Sequence, residues 1–265
     1  MSAVTDALAK ARADNRSALI GYLPVGYPSI DVSIDAMRAM VDSGVDIVEV
    51  GVPYSDPVMD GPTIQAAAEP AVRAGVGIAD ALRAVAAVVD AGAAAVVMTY
   101  WNPVERFGVT RFADELRAAG GSGAITPDLI PDEAALWIEA SEAADLDRIF
   151  LVAPSSTDAR IVSTAAASRG FLYATALMGV TGARESVGTA AVLLVGRVRR
   201  LAPDVSVCVG LGVSNGDQAA DIASFADGVI VGSALVRCLL DSPDAAGVVA
   251  VGTLAADLAA GVRRR

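Results

Sequence analysis

Short apolar runs alternate with longer, alanine-rich stretches along the whole chain. The runs are rich in β-branched residues and recur at intervals of roughly 20 to 35 residues, which is typical of βα units that build a parallel sheet. We predict eight strands, at Ala18–Leu23, Asp46–Val52, Ala94–Tyr100, Gly123–Ile125, Arg148–Val152, Phe171–Ala174, Val205–Gly210 and Gly228–Val231.

Eight parallel strands with helices between them close most economically as a (β/α)8 TIM barrel, an α/β fold of roughly 250 residues. The chain has 265 residues, and the glycine-rich stretch Ala118–Gly123 fits a helix end rather than a linker. We therefore predict a single TIM-barrel domain over residues 1–265. A short helix over Thr5–Asn15 precedes strand 1, where it could plug the floor of the barrel.

The composition indicates a protein that does not enter a membrane. Hydrophobic residues make up 54% of the chain, yet no uncharged stretch reaches the roughly 20 residues needed to cross a bilayer. The first residues lack the basic and apolar regions of a secretory signal, so we expect a cytoplasmic protein. Cys208 and Cys238 have no ligand-like spacing and are expected to be free.

The charged residues exclude several classes of function. A net charge of −11, with Lys10 as the only lysine, argues against binding to nucleic acid. The chain has no histidine, which removes serine–histidine triads, cysteine–histidine dyads and histidine-ligated zinc. Acid–base chemistry must therefore depend on carboxylates, tyrosines or Lys10.

Glu49 is an acidic residue inside an apolar strand. Alternation along that strand places Ile47, Glu49 and Gly51 on one face. Burial of a carboxylate is costly and raises its pKa, which suits a general acid that works near neutral pH. The alternative is a structural glutamate that pairs with an arginine or with backbone amides.

The loop after this strand, Pro53–Thr63, contains Asp56, Asp60 and three prolines. In a TIM barrel, catalytic residues come from the carboxyl ends of strands and from the loops that follow. Asp60 is therefore a second candidate for catalysis. Aspartate is also common in turns, and with Gly61 and Pro62 beside it Asp60 fits a turn residue equally well.

Three glycine-containing segments follow the last three predicted strands: Gly179–Gly182, Gly210–Ser214 and Val231–Ala234. TIM barrels commonly bind phosphate with backbone N–H groups of the loops after strands seven and eight. Such a site needs no lysine, and Ser233 could donate its hydroxyl. Ordinary turns would explain any one of these segments, so the prediction depends on their positions.

Four segments together resemble the tryptophan synthase alpha subunit family. They are Gly21–Pro28, Glu49–Pro57, Asp60–Gln65 and Gly179–Gly182, and the similarity extends from about Ala18 to Gly261. The stretch around strand 2 is the most specific, because the strand, the proline-rich loop and both carboxylates occur in the family's order and spacing. The resemblance implies a lyase that cleaves indole-3-glycerol phosphate to indole and glyceraldehyde 3-phosphate in tryptophan biosynthesis.

The resemblance also implies roles for individual residues. Glu49 would protonate indole C3, and Asp60 would hydrogen-bond the indole N–H and stabilise the charge that develops on the ring. Tyr173 matches an active-site tyrosine, although a core tyrosine would look the same, and Tyr22 would line the indole pocket. Thr181 would lie in a loop that closes over Asp60. The expected substrate-binding set is Tyr22, Thr181, Gly182, Gly212, Gly232 and Ser233. No metal or organic cofactor is implied.

The same resemblance implies a partner, a pyridoxal-phosphate beta subunit in an αββα assembly. Barrel mouths are built from βα loops, and two such loops here carry rigid prolines and aromatic residues of the kind enriched at interfaces. Trp101 could instead be ordinary barrel packing. The residues expected at the interface are Pro53, Tyr54, Asp56, Trp101 and Asn102. The sequence departs from the family at Val58-Met59 and at Thr175–Met178.

Two other functions fit parts of this pattern. Another phosphate-binding barrel, such as indole-3-glycerol phosphate synthase or a sugar-phosphate isomerase, would have a similar fold, but a synthase of that type would need catalytic lysines. A catalytically weak barrel that serves mainly as the allosteric partner of a beta subunit would keep the phosphate loops. The presence of both Glu49 and Asp60 argues against it.

Overall fold

The computed structural model of the protein describes residues 2–175 and 184–264. Within these residues, nine parallel strands form one sheet. Their bounds are β1 (Ala18–Pro24), β2 (Ile47–Gly51), β3 (Ala94–Met98), β4 (Gly123–Ile125), β5 (Asp147–Ile149), β6 (Leu151–Val152), β7 (Leu172–Thr175), β8 (Val207–Gly210) and β9 (Gly228–Val231). Their order in the sheet is β5-β4-β3-β2-β1-β9-β8-β7-β6.

The sheet closes into a barrel through β5 and β6. These two segments stand at opposite ends of the strand order, yet only Phe150 separates them in sequence. β5 pairs with β4, and β6 pairs with β7. The strand predicted over Arg148–Val152 is therefore one barrel strand that is interrupted at Phe150, whose side chain is buried in the core that surrounds the barrel. The predicted eight-stranded TIM-barrel fold is confirmed.

Helices cover the outside of the barrel. Apart from the N-terminal helix, the buried apolar residues of these helices form one large core with the outward-facing residues of the strands. No helix in the two described stretches is both long and apolar enough to span a membrane. The helices are α1 (Ala3–Ala13), α2 (Ile30–Asp42), α3 (Pro62–Arg73), α4 (Ile78–Asp90), α5 (Trp101–Phe107), α6 (Val109–Ala118), α7 (Ala135–Ala143), α8 (Asp158–Ala167), α9 (Arg184–Leu201), α10 (Gly216–Ala223), α11 (Ser233–Asp241) and α12 (Ala245–Gly261), with a 3-10 turn at Pro131–Glu133.

The helix α1 closes one end of the barrel, as predicted. It begins at Ala3 rather than at Thr5, because the hydroxyl of Ser2 accepts a hydrogen bond from the Thr5 backbone N–H and caps the helix. Its buried residues Val4, Leu8 and Ala11 belong to the cluster inside the barrel, together with inward-facing strand residues such as Ile47. Cys208 lies in the same cluster, and both Cys208 and Cys238 are free thiols.

An ion pair at the same end supports the register of β1 and β2. The guanidinium of Arg16 donates to both carboxylate oxygens of Asp46, at 2.7 and 2.8 Å. Asp46 also accepts from the Leu19 backbone N–H at 2.8 Å. Since β2 begins at Ile47, Asp46 lies just before the strand and not, as predicted, within it. The resulting register places Tyr22 beside Glu49.

Candidate active site

Glu49 lies inside the barrel and is completely buried. Neither of its carboxylate oxygens has a hydrogen-bond partner among the described residues. Burial raises its pKa to about 8, because water no longer solvates the charged form. The interpretation of Glu49 as a structural glutamate, paired with an arginine or with backbone amides, is therefore wrong for the part of the chain described here. A protonated carboxyl group inside an apolar barrel is available as a proton donor near neutral pH.

Two tyrosines stand near Glu49. Tyr22 is its direct neighbour in register on β1, and Tyr173 projects from β7 on the inner face of the barrel. Burial raises the pKa of both phenols well above the ordinary value, and Glu49 raises it further once its own carboxyl group ionises. Both hydroxyls therefore remain protonated and act as neutral hydrogen-bond donors.

Asp60 is held by Tyr100, which lies just after the neighbouring strand β3. The hydroxyl of Tyr100 donates to its Oδ1 at 3.0 Å, and the side chain of Gln65 donates to its backbone carbonyl at 2.7 Å. Asp60 does not cap α3, whose N-cap is Gly61. The interpretation of Asp60 as a turn residue therefore does not explain where its carboxylate lies, because the carboxylate bonds to Tyr100. Burial raises the pKa of Asp60, and the hydrogen bond from Tyr100 acts in the opposite direction.

A narrow cleft opens at the carboxyl ends of β1, β2 and β3. Its walls are mostly apolar or aromatic, with the Asp60 carboxylate and tyrosine hydroxyls as polar groups. The chemistry of this lining, an apolar and aromatic wall with one carboxylate, matches an apolar ring that carries a single N–H group. Tyr22 is one of the aromatic residues of this wall. The lining residues are Tyr22, Val52, Asp60, Met98, Thr99, Tyr100 and Pro127.

A wider groove lies on the outer surface between α2 and α4. It is lined by exposed charged residues, among them Asp31, Asp35, Arg38 and Arg83, and it is more open than the cleft at the mouth of the barrel. It contains none of the buried carboxyl groups. We therefore take the barrel mouth, where desolvated acids and tyrosine hydroxyls meet, as the candidate active site.

The phosphate candidates lie after β8 and β9. Gly212 has a φ of +64°, which favours glycine, and Gly232 is the N-cap residue of α11 without a side-chain cap. A Cβ atom on Gly232 would lie 3.2 Å from the Tyr22 ring, so this helix start is at the same end of the barrel as the cleft. Ser233 is the first residue of α11. Thr181 and Gly182 lie outside the described residues.

The residues expected at the partner interface differ in exposure. Asp56 and Asn102 are exposed, whereas Pro53 is buried and offers little surface to a partner. Tyr54 is half-buried against Tyr100, with ring centroids 5.1 Å apart. Trp101 packs partly on the core, so barrel packing explains part of its side chain.

The loop residues Val58 and Met59, where the sequence departs from the family, point largely to solvent: Val58 is 77% exposed and Met59 is 44% exposed. The backbone of Met59 nevertheless contacts the site, because its N–H donates to the Tyr100 hydroxyl at 2.9 Å. The other departure, Thr175–Met178, lies outside the described residues from position 176 onward.

Sequence reasoning missed Tyr100 and Asp128. Tyr100 was predicted as the last residue of a strand over Ala94–Tyr100, but β3 ends at Met98 and Tyr100 is the N-cap residue of α5. The carboxylate of Asp128 accepts from the Trp101 backbone N–H at 2.9 and 3.2 Å, which ties the loops after β3 and β4 together. The position of Tyr100 at a strand end was the available indication that it could reach the site.

A closed parallel barrel with two desolvated carboxyl groups, one on β2 and one in the loop that follows it, has the architecture of an α/β-barrel enzyme. Residues 8–258 match the sequence model of the family described as tryptophan synthase alpha chain. The chain belongs to this family.

Individual relatives agree. The tryptophan synthase alpha chain of Thermobifida fusca is 57% identical over 266 residues, which cover 99% of this chain and 98% of the relative. That of Mycobacterium leprae is 61% identical over 254 residues, covering 96% and 92%. A crystal structure of tryptophan synthase from M. tuberculosis matches with a TM-score of 0.91 at 56% identity and covers 99% of both chains. The alpha subunit from Legionella pneumophila matches with a TM-score of 0.89 at 28% identity, covering 99% and 98%.

Proposed function

We propose that Glu49 and Asp60 carry out the reaction of this chain, the retro-aldol cleavage of indole-3-glycerol phosphate to indole and glyceraldehyde 3-phosphate. The chain is a carbon–carbon lyase of tryptophan biosynthesis, as its family defines. The observation that carries the assignment is the completely buried Glu49, whose pKa is about 8 and whose carboxylate oxygens have no partner among the described residues. An unpaired acid at such a position has no evident structural purpose.

In the proposed mechanism, protonated Glu49 gives its proton to C3 of the indole ring. The bond between C3 and the glycerol chain then breaks, and the hydroxyl-bearing carbon beside it becomes the aldehyde carbon of glyceraldehyde 3-phosphate. That hydroxyl loses its proton, which returns to the Glu49 carboxylate. One residue thus serves as acid and then as base, and no net proton is consumed.

Asp60 stabilises the ring while C3 is protonated. Positive charge then spreads to the indole nitrogen, and an ionised carboxylate that accepts the N–H hydrogen bond stabilises that charge most strongly in the transition state. The Asp60 side chain lines the cleft together with Tyr22. Tyr173, close to Glu49, provides a neutral hydroxyl beside the reacting carbons.

The phosphate group binds at the loops after β8 and β9. The backbone N–H groups at the start of α11 lack a side-chain cap, and a helix N-terminus attracts an anion. Gly212 and Gly232 let the backbone approach the phosphate closely, and Ser233 adds a hydroxyl. We assign Thr181 and Gly182 to the same substrate-binding set from the family resemblance alone. Among the described residues, no group of histidine, cysteine, aspartate or glutamate side chains is arranged to hold a metal ion.

The partner of the chain is a tryptophan synthase beta subunit. We propose that it covers the barrel mouth in an αββα assembly, so that indole, a small apolar product, passes directly to the second active site. The exposed Asp56 and Asn102, with the partly exposed Tyr54 and Trp101, supply the docking surface. We further propose a single domain, supported by the one closed sheet, and a cytoplasmic location, since an ionised phosphate ester does not cross a membrane unaided.

Indole release from indole-3-glycerol phosphate by the purified chain, with and without a beta subunit, tests the proposal. Asp60→Asn should lose most of this activity, because the amide cannot stabilise a positive ring. Asp42→Asn, a matched change at the exposed end of α2, should not. Wild-type activity in Asp60→Asn would remove Asp60 from the mechanism. If the wild-type chain bound the beta subunit but released no indole, the protein would be an allosteric partner instead.

A further inference from the structure

Tyr100 connects two loops of the active site through its hydroxyl group. Its oxygen accepts a hydrogen bond from the Met59 backbone N–H at 2.9 Å and donates to Asp60 Oδ1 at 3.0 Å. Because the Met59 N–H occupies one of its acceptor positions, the single hydroxyl proton is directed to the carboxylate. Asp60 and Tyr100 are 40 residues apart in sequence.

The two residues differ in how firmly the fold holds them. Tyr100 is 4% exposed, lies two residues after the end of β3 as the N-cap residue of α5, and packs its ring against Tyr54. Asp60 lies in the loop between β2 and α3, which has no regular secondary structure. Among the described residues, the hydrogen bond from Tyr100 is the one that fixes the Asp60 carboxylate to the barrel.

We propose that Tyr100 is a positioning residue that holds the Asp60 carboxylate toward the indole N–H. The inference rests on the proposed function of Asp60 and extends it to a residue that does not itself react. Tyr100 occupies one carboxylate oxygen and leaves the other for the substrate. Positioning of this kind matters because small displacements of a catalytic group reduce the rate strongly.

The hydrogen bond from Tyr100 also favours the ionised form of Asp60. Burial raises the pKa of Asp60, and the hydrogen bond from Tyr100 lowers it again. The other titratable groups around it are Tyr22 on β1, which is half-buried, and Glu49 on β2, which is completely buried, and both have raised pKa values. The pKa of Tyr100 itself is about 12, so it remains a donor. Without Tyr100, Asp60 takes up a proton at a higher pH and loses the charge that its role requires.

The test is Tyr100→Phe, which keeps the ring and removes only the hydroxyl. We expect kcat for indole release to fall about tenfold or more, the factor that loss of one charge-assisted hydrogen bond produces. KM should change much less, and the acidic limb of the pH profile should move to higher pH. Tyr27→Phe, at a half-buried tyrosine that is not among the residues lining the cleft, is the matched control and should retain wild-type values.

A second measurement does not depend on activity. Carbon NMR of protein labelled at the aspartate carboxyl groups, with the Asp60 resonance assigned from its absence in Asp60→Asn, gives the titration midpoint directly. We expect a higher midpoint in Tyr100→Phe. Either an unshifted midpoint or a kcat within about twofold of wild type would overturn the role of Tyr100. Wild-type turnover in Asp60→Asn would instead contradict the proposed function itself.

Discussion

The Tyr22 ring on β1 lies directly over Gly51 on β2: a Cβ atom on Gly51 would be 2.5 Å from the Tyr22 hydroxyl oxygen and 2.6 Å from Cε2. Tyr173 and Gly210 repeat the arrangement on β7 and β8, where the corresponding Cβ would be 2.6 Å from the hydroxyl oxygen. Two glycines thus create the space for the two tyrosines near Glu49. The shape of the cleft depends on residues that have no side chain.

Gly51→Ala should therefore disturb the site. A methyl group at this position must displace the Tyr22 ring, so we expect destabilisation of about 1–3 kcal/mol, as for other overpacked cores, and a clear loss of kcat/KM. Denaturant unfolding and the indole assay measure the two effects. Gly196→Ala on the exposed side of α9, where a Cβ would meet nothing within 4 Å, is the control and should be neutral or slightly stabilising. Equal behaviour of the two variants would refute the packing argument.

Glu49 should make the stability of the protein depend on pH. Its pKa is 4.5 in an ordinary environment and about 8 in the folded protein, so between these values the folded state binds more protons than the unfolded state. The free energy of unfolding should consequently fall as pH rises through this window. Glu49→Gln removes the effect, and at pH 8 it should be more stable than wild type by on the order of a few kcal/mol.

The stability difference between Glu49→Gln and wild type should shrink toward pH 4.5. Below that pH, Glu49 is mostly protonated in both the folded and the unfolded state. Thermal or denaturant unfolding at several pH values measures it. Glu105→Gln, an exposed site on α5, should show no comparable trend. A constant stability difference between Glu49→Gln and wild type across the window would mean that Glu49 is not desolvated in solution.

Phosphate compounds should stabilise the protein. A ligand that binds only the folded state raises the melting temperature by mass action, so glyceraldehyde 3-phosphate or inorganic phosphate should raise Tm more than sodium chloride at equal ionic strength. Ser233→Ala should reduce the shift by removing a donor. Gly232→Val should reduce it further, although its Cβ also approaches Tyr22 at 3.2 Å. An undiminished shift in both variants would place the phosphate elsewhere.

The docking surface can be tested by reversing one charge. Asp56→Lys should weaken binding of the beta subunit and reduce the partner-dependent part of indole release, and Asn102→Ala should have a smaller effect, because both side chains are exposed at the barrel mouth. Asp42→Lys, at the exposed end of α2, is the matched control. Titration against a beta subunit gives the affinities. Unaltered affinity for both mouth variants would show that the partner docks on another face.

The fold and the buried acid could be predicted from the sequence because both follow from local patterns. Apolar runs marked the strands, and alternation along β2 placed Glu49 on the same face as Ile47, which the structure shows to be the inner face of the barrel. The interruption at Phe150 was not predictable, since a continuous apolar run gives no indication of where strand pairing stops. The hydrogen bond between Tyr100 and Asp60 was not predicted from the sequence either. It joins residues from two loops, and only the register of β2 and β3 brings them together.

The most direct test of the account compares indole release from indole-3-glycerol phosphate by wild type and by Glu49→Gln, each purified and each assayed with and without a beta subunit. The amide is nearly isosteric but cannot exchange a proton, so we expect turnover to fall by about 10² to 10⁴, the usual contribution of a general acid–base residue, while substrate binding persists. A Glu49→Gln protein that retains more than about a tenth of wild-type turnover would contradict the assignment of the buried carboxyl group as the proton donor.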